Sequence, residues 1–145
     1  MSPLNGMPEV DHPEFKNFFE SRDLFALKIG YRLVSLTPGK SEYYLDVDES
    51  FNNPMKIVHG GALFSAMDSA AGAAITSYLK DREVSFHLTA TATIEMRYRK
   101  PILNGRMKVT AEVTEHKRSL VRLMSKAFDA QGELVAELKS TWIIK

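Results

Sequence analysis

The chain has 145 residues, 44% of them hydrophobic and 26% charged, which is the makeup of one globular domain with material for a single core. A formal net charge of +1 gives no electrostatic footprint for nucleic acid, and no Lys/Arg run is long enough to be a basic tail. The absence of cysteine excludes disulfides, thiolate nucleophiles and Cys-held metal centres, and agrees with a reducing compartment.

The opening MSPLNGMPEVDHPEF has no apolar centre of the kind a signal peptide needs. No apolar run approaches the ~20 residues of a membrane span. The expected location is the cytoplasm, with no membrane contact. The expected organisation is a single domain over 1–145, with residues 1–24 as an N-terminal extension. Residues 1–12, holding Pro3, Gly6 and Pro8, are expected to be loose. From Pro13 a short helix is predicted, with Phe15, Phe18, Phe19 and Leu24 on one face.

Two alternating stretches follow. Tyr31, Leu33, Ser35 and Thr37 alternate with Arg32, Val34 and Leu36, and Tyr43, Leu45 and Val47 with Tyr44, Asp46 and Asp48. Pro38-Gly39 between them marks the turn of a hairpin. Residues 51–59, FNNPMKIVH, read as a loop because Asn52-Asn53-Pro54 resists regular structure. GALFSAMDSAAGAAITSYLK then has no Pro and many alanines, and predicts a helix of about five turns. After Glu83 the pattern is strand throughout: Ser85–Lys100, Met107–His116, Leu120–Ala130 and Leu134–Ile144, with turns at Asn104-Gly105 and Gln131-Gly132. The order β-β-α-β-β-β-β, with one central helix, is an α+β arrangement. One helix cannot cover both faces and both edges of such a sheet, so a homo-oligomer is expected.

The residues that could carry chemistry are Asn53, His59-Gly60-Gly61 and Asp68. Gly60 and Gly61 open the long helix, where free amides and the positive dipole end suit a developing oxyanion. Asp68 stands in the third turn, too far in to cap the helix. With Phe64 and Gly72 one turn away, its carboxylate would be poorly solvated and more basic than usual, unless it lies on a solvated helix face. Gly60 and Asp68 are eight residues apart, about 12 Å along a helix at ~1.5 Å per residue. Both can meet one substrate only if a second helix lies antiparallel beside the first, as in a two-fold dimer.

This pattern resembles the hotdog-fold acyl-CoA thioesterases, in particular the phenylacetate-pathway type. The shared features are an Asn, HGG six residues on, an acidic residue nine after the His, and a Thr- or Ser-bearing strand ending in an aromatic and a Pro. Here they are Asn53, His59-Gly60-Gly61, Asp68, and TATATIEMRYRKP from Thr89 to Pro101. The ending AFDAQGELVAELKSTWII is also similar to the family's last two strands, so the resemblance covers roughly 25–145. It implies a hotdog fold, a long central helix wrapped by a curved antiparallel sheet of about six strands. It implies hydrolysis of an acyl-CoA to free acid and CoA by a homo-oligomer, a dimer at least and a tetramer by preference.

The resemblance also implies roles for individual residues. Gly60 N–H would polarise the thioester carbonyl, His59 would hold the substrate oxygen or orient the loop, and Asn53 would order the same region. Asp68 of the neighbouring subunit would act as general base or nucleophile, and Thr91 would position water. Thr89 and Thr93 share its strand face on simple alternation and compete with it, as Asn52 competes with Asn53. Gly61 would approach substrate closely, and Arg97, Arg99, Lys117 and Arg118 are candidates for the CoA phosphates. No cofactor is implied beyond CoA as part of the substrate. No metal is implied either, since His12, His59, His87 and His116 show no ligand spacing. The competing expectations are a non-hydrolytic acyl-CoA binding module and a thioester dehydratase or hydratase. A carboxylate buried beside an anionic ligand gains a pure binder nothing, which favours hydrolysis.

Overall fold

In the computed structural model, which describes residues 6–145, two short helices come first, α1 (Glu14–Ser21) and α2 (Leu24–Ile29). The hairpin β1 (Arg32–Thr37) and β2 (Lys40–Val47) leads through a 3-10 turn at Glu49–Phe51 into the long helix α3 (Gly60–Asp81). Four strands complete the chain: β3 (Thr89–Tyr98), β4 (Gly105–Lys117), β5 (Leu120–Phe128) and β6 (Leu134–Ile144). The strands form one antiparallel sheet in the order β1-β2-β4-β5-β6-β3. β1 and β3 are therefore the edges. The sheet curves around α3, giving the α+β hotdog fold that the sequence led us to expect.

The small residues of α3 determine how it packs. Ala66, Ala70, Ala71, Ala73 and Ala74 are fully buried and let the helix lie close to the sheet. Leu63, Met67, Ile75 and Leu79 fill the space against Leu45, Val109, Val121, Leu123 and Leu138, all buried. Two buried hydroxyls pin the helix to the strands. Ser125 Oγ donates to the Met67 carbonyl at 3.0 Å and Ser41 Oγ to the Ala70 carbonyl at 2.6 Å. The helix turn just before Asp68 and the one after it are thus fixed on their buried side. Asp68, Ser69 and Gly72, only half-buried, lie on the opposite, open side of α3.

Several local expectations need correction. The N-terminal helix ends at Ser21, and Asp23 caps a separate helix by accepting from the Ala26 N–H. Leu24 starts that second helix and is 69% exposed, so it shares no buried face with Phe15. Residues 7–12 are not loose: Met7, Pro8 and Val10 are half-buried, and Glu9 pairs with Lys80 of α3 at 3.3 Å. The same expectation for residues 1–5 lies outside the described residues. β3 begins at Thr89 and not at Ser85, because the His87 and Leu88 amides both go to the Lys145 carbonyl.

β3 also carries a bulge. Thr91 pairs with Trp142 and Thr93 with Thr141, leaving Ala92 as an extra residue. An inserted residue reverses the alternation beyond it. Thr89 and Thr91 face α3, whereas Thr93 joins Thr141 on the outer face, where both line a groove. The simple alternation that put Thr93 beside Thr91 fails for this reason.

Candidate active site

His59 is the N-cap of α3. Its Nδ1 accepts from the Gly61 N–H at 2.9 Å, and its carbonyl accepts from Ala62 N–H. The Gly60 N–H has no hydrogen-bond acceptor among the described residues. One amide at the positive end of a six-turn helix is thus free while its neighbour is occupied. The Gly60 carbonyl accepts from Tyr98 Oη at 2.7 Å, and a Cβ on Gly60 would sit 2.9 Å from both Cζ and Oη of Tyr98. Glycine is needed here for close approach by an aromatic edge. Burial raises the Tyr98 hydroxyl pKa, so the hydroxyl stays a donor to that carbonyl.

The loop before the helix is held by Asn53. Its Oδ1 accepts from Met55 N–H at 2.9 Å and more weakly from Ile57 N–H, while its backbone amide goes to the Ile57 carbonyl. Asn52 forms an isolated bridge with Val58, and His59 N–H donates to the Phe51 carbonyl. Asn53 therefore shapes the turn that delivers His59 and Gly60. Lys56 takes a left-handed φ of 61° in the same turn.

Asp68 is half-buried on the open side of α3. Its Oδ1 accepts from Thr91 Oγ1 at 3.1 Å, and no cation pairs with it among the described residues. Burial lifts its pKa above the ordinary carboxylate value, and the Thr91 hydrogen bond opposes that rise. The carboxylate is therefore more basic than a solvated one and fixed in position, as a general base requires.

Asp68 borders a cavity of about 520 Å³, within the size range of small-molecule sites. Its floor is Gly72, Thr76 and Trp142, and one wall is Leu88 and Thr89. A Cβ on Gly72 would meet the Trp142 ring at 3.2 Å, so the missing side chain makes part of this space. The other wall comes from the α1–α2 junction: Phe19, Arg22 and Asp23. Behind it, Ser69 Oγ donates to Tyr31 Oη at 2.7 Å, and Tyr31 Oη donates to Asp23 Oδ1 at 3.1 Å. Burial, with the Asp23 and Asp68 charges nearby, pushes the Tyr31 hydroxyl up to about 12.

The candidate residues thus form two groups on one chain. Asn53, His59, Gly60 and Gly61 stand at the head of α3, and Asp68 and Thr91 about two turns along it. The basic candidates stand apart. Arg97 pairs with Glu95 at 3.0 Å, Arg99 with Glu137, and Lys117 with Glu115 at 3.2 Å. Arg118 sits in the β4–β5 turn with a φ of 56°.

Reasoning from sequence did not find Phe19, Arg22, Asp23, Tyr31 or Ser69. Ser69 carried a weak signal, as a hydroxyl beside the acidic residue on the open face. The others reach the cavity only through tertiary packing, and nothing in their local sequence marks them.

Comparison with known proteins agrees with the fold. A family model described as the thioesterase superfamily matches residues 55–136. A Saccharolobus solfataricus protein named as a candidate esterase is 26% identical over 99% of this chain and 92% of its own length. The PaaI protein of the E. coli phenylacetic acid degradation operon superposes with a TM-score of 0.77 at 20% identity, over 86% of each chain. A Streptococcus pneumoniae thioesterase protein, solved with coenzyme A, gives 0.69 at 19% identity, over 79% of this chain and 85% of that one. With more than half of its length inside the family match, this chain belongs to the thioesterase superfamily.

Proposed function

We propose that the protein hydrolyses an acyl-CoA thioester to the free acid and CoA, and that each site is shared by two subunits. The observation that carries this is Asp68: a half-buried carboxylate with no cation beside it among the described residues, its pKa raised by burial, fixed by Thr91 and bordering a cavity.

The thioester carbonyl oxygen accepts from the free Gly60 N–H. Thr91 Oγ1, with its proton committed to Asp68, accepts a hydrogen bond from a water molecule. Asp68 takes a proton from that water as its oxygen bonds to the carbonyl carbon. The negative charge forms on the carbonyl oxygen, where the Gly60 amide and the helix dipole stabilise it. Collapse of the tetrahedral intermediate breaks the C–S bond, and the proton held by Asp68 goes to the departing CoA sulfur. In the nucleophilic variant Asp68 bonds to the carbonyl carbon itself, CoA leaves, and water opens the resulting anhydride.

About 12 Å of helix separates Gly60 from Asp68 of the same chain, so the two converge only across a subunit boundary. The unpaired edge of β3 offers one. Tyr98 marks the level of Gly60 on this strand and Thr91 the level of Asp68. If β3 pairs antiparallel with its copy about a two-fold axis at Glu95, Tyr98 lies three residues to one side. Thr91 lies four to the other, one of them the bulged Ala92. Tyr98 then faces the partner's Thr91, and the partner's Asp68 comes beside Gly60. Ile94 pairs with the partner's Met96 on the inner face, so the registry also respects the pleat. Arg97, Arg99, Lys117 and Arg118 are the groups proposed for the CoA phosphates. The first three would exchange a glutamate for phosphate.

The test is thiol release from acyl-CoA substrates by wild type and Asp68→Ala. Release that falls by about 10²–10⁴ in the variant, the usual worth of a general base, supports the assignment. A variant that keeps most of its rate removes Asp68 from the mechanism.

A further inference from the structure

The family match begins at residue 55, yet one wall of the cavity that Asp68 borders is built from Phe19, Arg22 and Asp23. Its central polar group is Asp23. One of its oxygens is fully used: Oδ1 accepts from Ala26 N–H at 3.2 Å and from Tyr31 Oη at 3.1 Å. Oδ2 has no hydrogen-bond partner among the described residues, and Asp23, only partly buried, lines the cavity. The Arg22 guanidinium does not neutralise it, being stacked over the Phe18 ring at 3.8 Å from the centroid.

The charges lining this space are Arg22, Asp23 and Asp68, with His87 at the rim. Two carboxylates against one guanidinium disfavour an acyl group that ends in a carboxylate. A plain hydrocarbon terminus would strand the free Asp23 oxygen away from water, which costs a polar group its hydration. A terminus that donates a hydrogen bond satisfies it. Phe19 lines the same cavity and supplies apolar surface for the acyl chain.

We propose that the α1–α2 junction is the specificity wall of the enzyme: Asp23 Oδ2 accepts a hydrogen bond from a hydroxyl at the far end of a short acyl group. This rests on the thioester-hydrolase proposal above and adds the nature of its acyl substrate. Asp23 acts on selection and touches none of the reacting atoms.

The experiment compares kcat/KM for matched pairs: butanoyl-, hexanoyl- and octanoyl-CoA against their terminally hydroxylated counterparts. For at least one length, wild type should prefer the hydroxylated substrate by about tenfold or more, the worth of a hydrogen bond to a charged acceptor. Asp23→Asn keeps the α2 cap and the Tyr31 contact, since Asn caps as well as Asp, but presents a donor where Oδ2 was. A hydroxyl can accept from that amide, so the preference should fall several-fold, from the worth of a charge-assisted hydrogen bond to that of a neutral one. Asp23→Ser, also a good cap, should do the same if the Asn variant does not fold. A wild-type ratio near one at every length overturns the inference, as does an undiminished ratio in a folded Asp23 variant. If no CoA ester of either kind is cleaved, the hydrolase proposal itself has failed, which is a distinct result.

Discussion

A site split between subunits makes a quantitative prediction for mixed oligomers. Take Asp68→Ala on one chain and Gly60→Pro on the other. Proline at the first helical position is tolerated and deletes only the amide proton in question. His59, at φ −59° and ψ 127°, already has the extended conformation that precedes proline. The Tyr98 ring, which a Cβ at position 60 would approach to 2.9 Å, must swing away, and as a half-exposed side chain it has room to do so. Each homodimer lacks one group at both sites. In the hybrid, one site lacks both groups and the other keeps the Gly60 amide and the partner's Asp68. Hybrids isolated by two different tags should therefore give roughly half the wild-type CoA release per dimer. Unsorted refolding of equal amounts, in which half the dimers are hybrids, should give roughly a quarter. A site contained in one chain has no intact copy in any of these mixtures. Folded hybrids with no more activity than the parents would refute the shared site, and with it the two-fold pairing through β3.

Other consequences follow from single residues. Burial holds the Asp68 proton more tightly in the native state than in the unfolded chain. Stability conferred by the protonated form is lost as pH rises from the ordinary carboxylate value through the raised native one. Asp68→Asn should therefore melt higher than wild type near pH 8, with the gain vanishing near about pH 3; equal melting temperatures at both would contradict this. For the same reason kcat/KM should rise with pH through a single ionisation above the ordinary carboxylate range, and a profile flat across it would exclude Asp68 as the base. Ser125→Ala removes a buried hydroxyl that pins the Met67 turn and should cost about 1 kcal/mol by denaturant titration. Glu95→Lys sets a cation among Arg97 and its symmetry mate, and sedimentation should show weaker self-association; an unchanged dimer would move the two-fold axis away from Glu95.

Much of this was readable in the sequence because the signals were local. The alanine-rich run can only be a closely packed helix, and the turn pairs Pro38-Gly39 and Gln131-Gly132 bracket alternating strands that form as expected. The HGG start and the misplaced acid in the third turn pointed to the two ends of the candidate site. What escaped depended on single-residue irregularities or distant packing. The Ala92 bulge, invisible in a run of alternating Thr and Ala, decides which threonine meets Asp68. Leu24 looked like the next apolar position of one helix, but Asp23 ends that helix and caps another. Asp23 itself reaches the cavity through Tyr31, eight residues on, and Ser69, on another helix, a link no periodicity encodes.

The most direct measurement is a free-thiol assay over CoA esters of short, medium and long aliphatic, phenylacetyl and hydroxybenzoyl acids, run in parallel on wild type and Asp68→Ala. Hydrolysis at Asp68 predicts CoA release from at least one class, lost in the variant. Binding of the same esters, seen as a thermal shift, without release by either protein would contradict it and leave an acyl-CoA binding module.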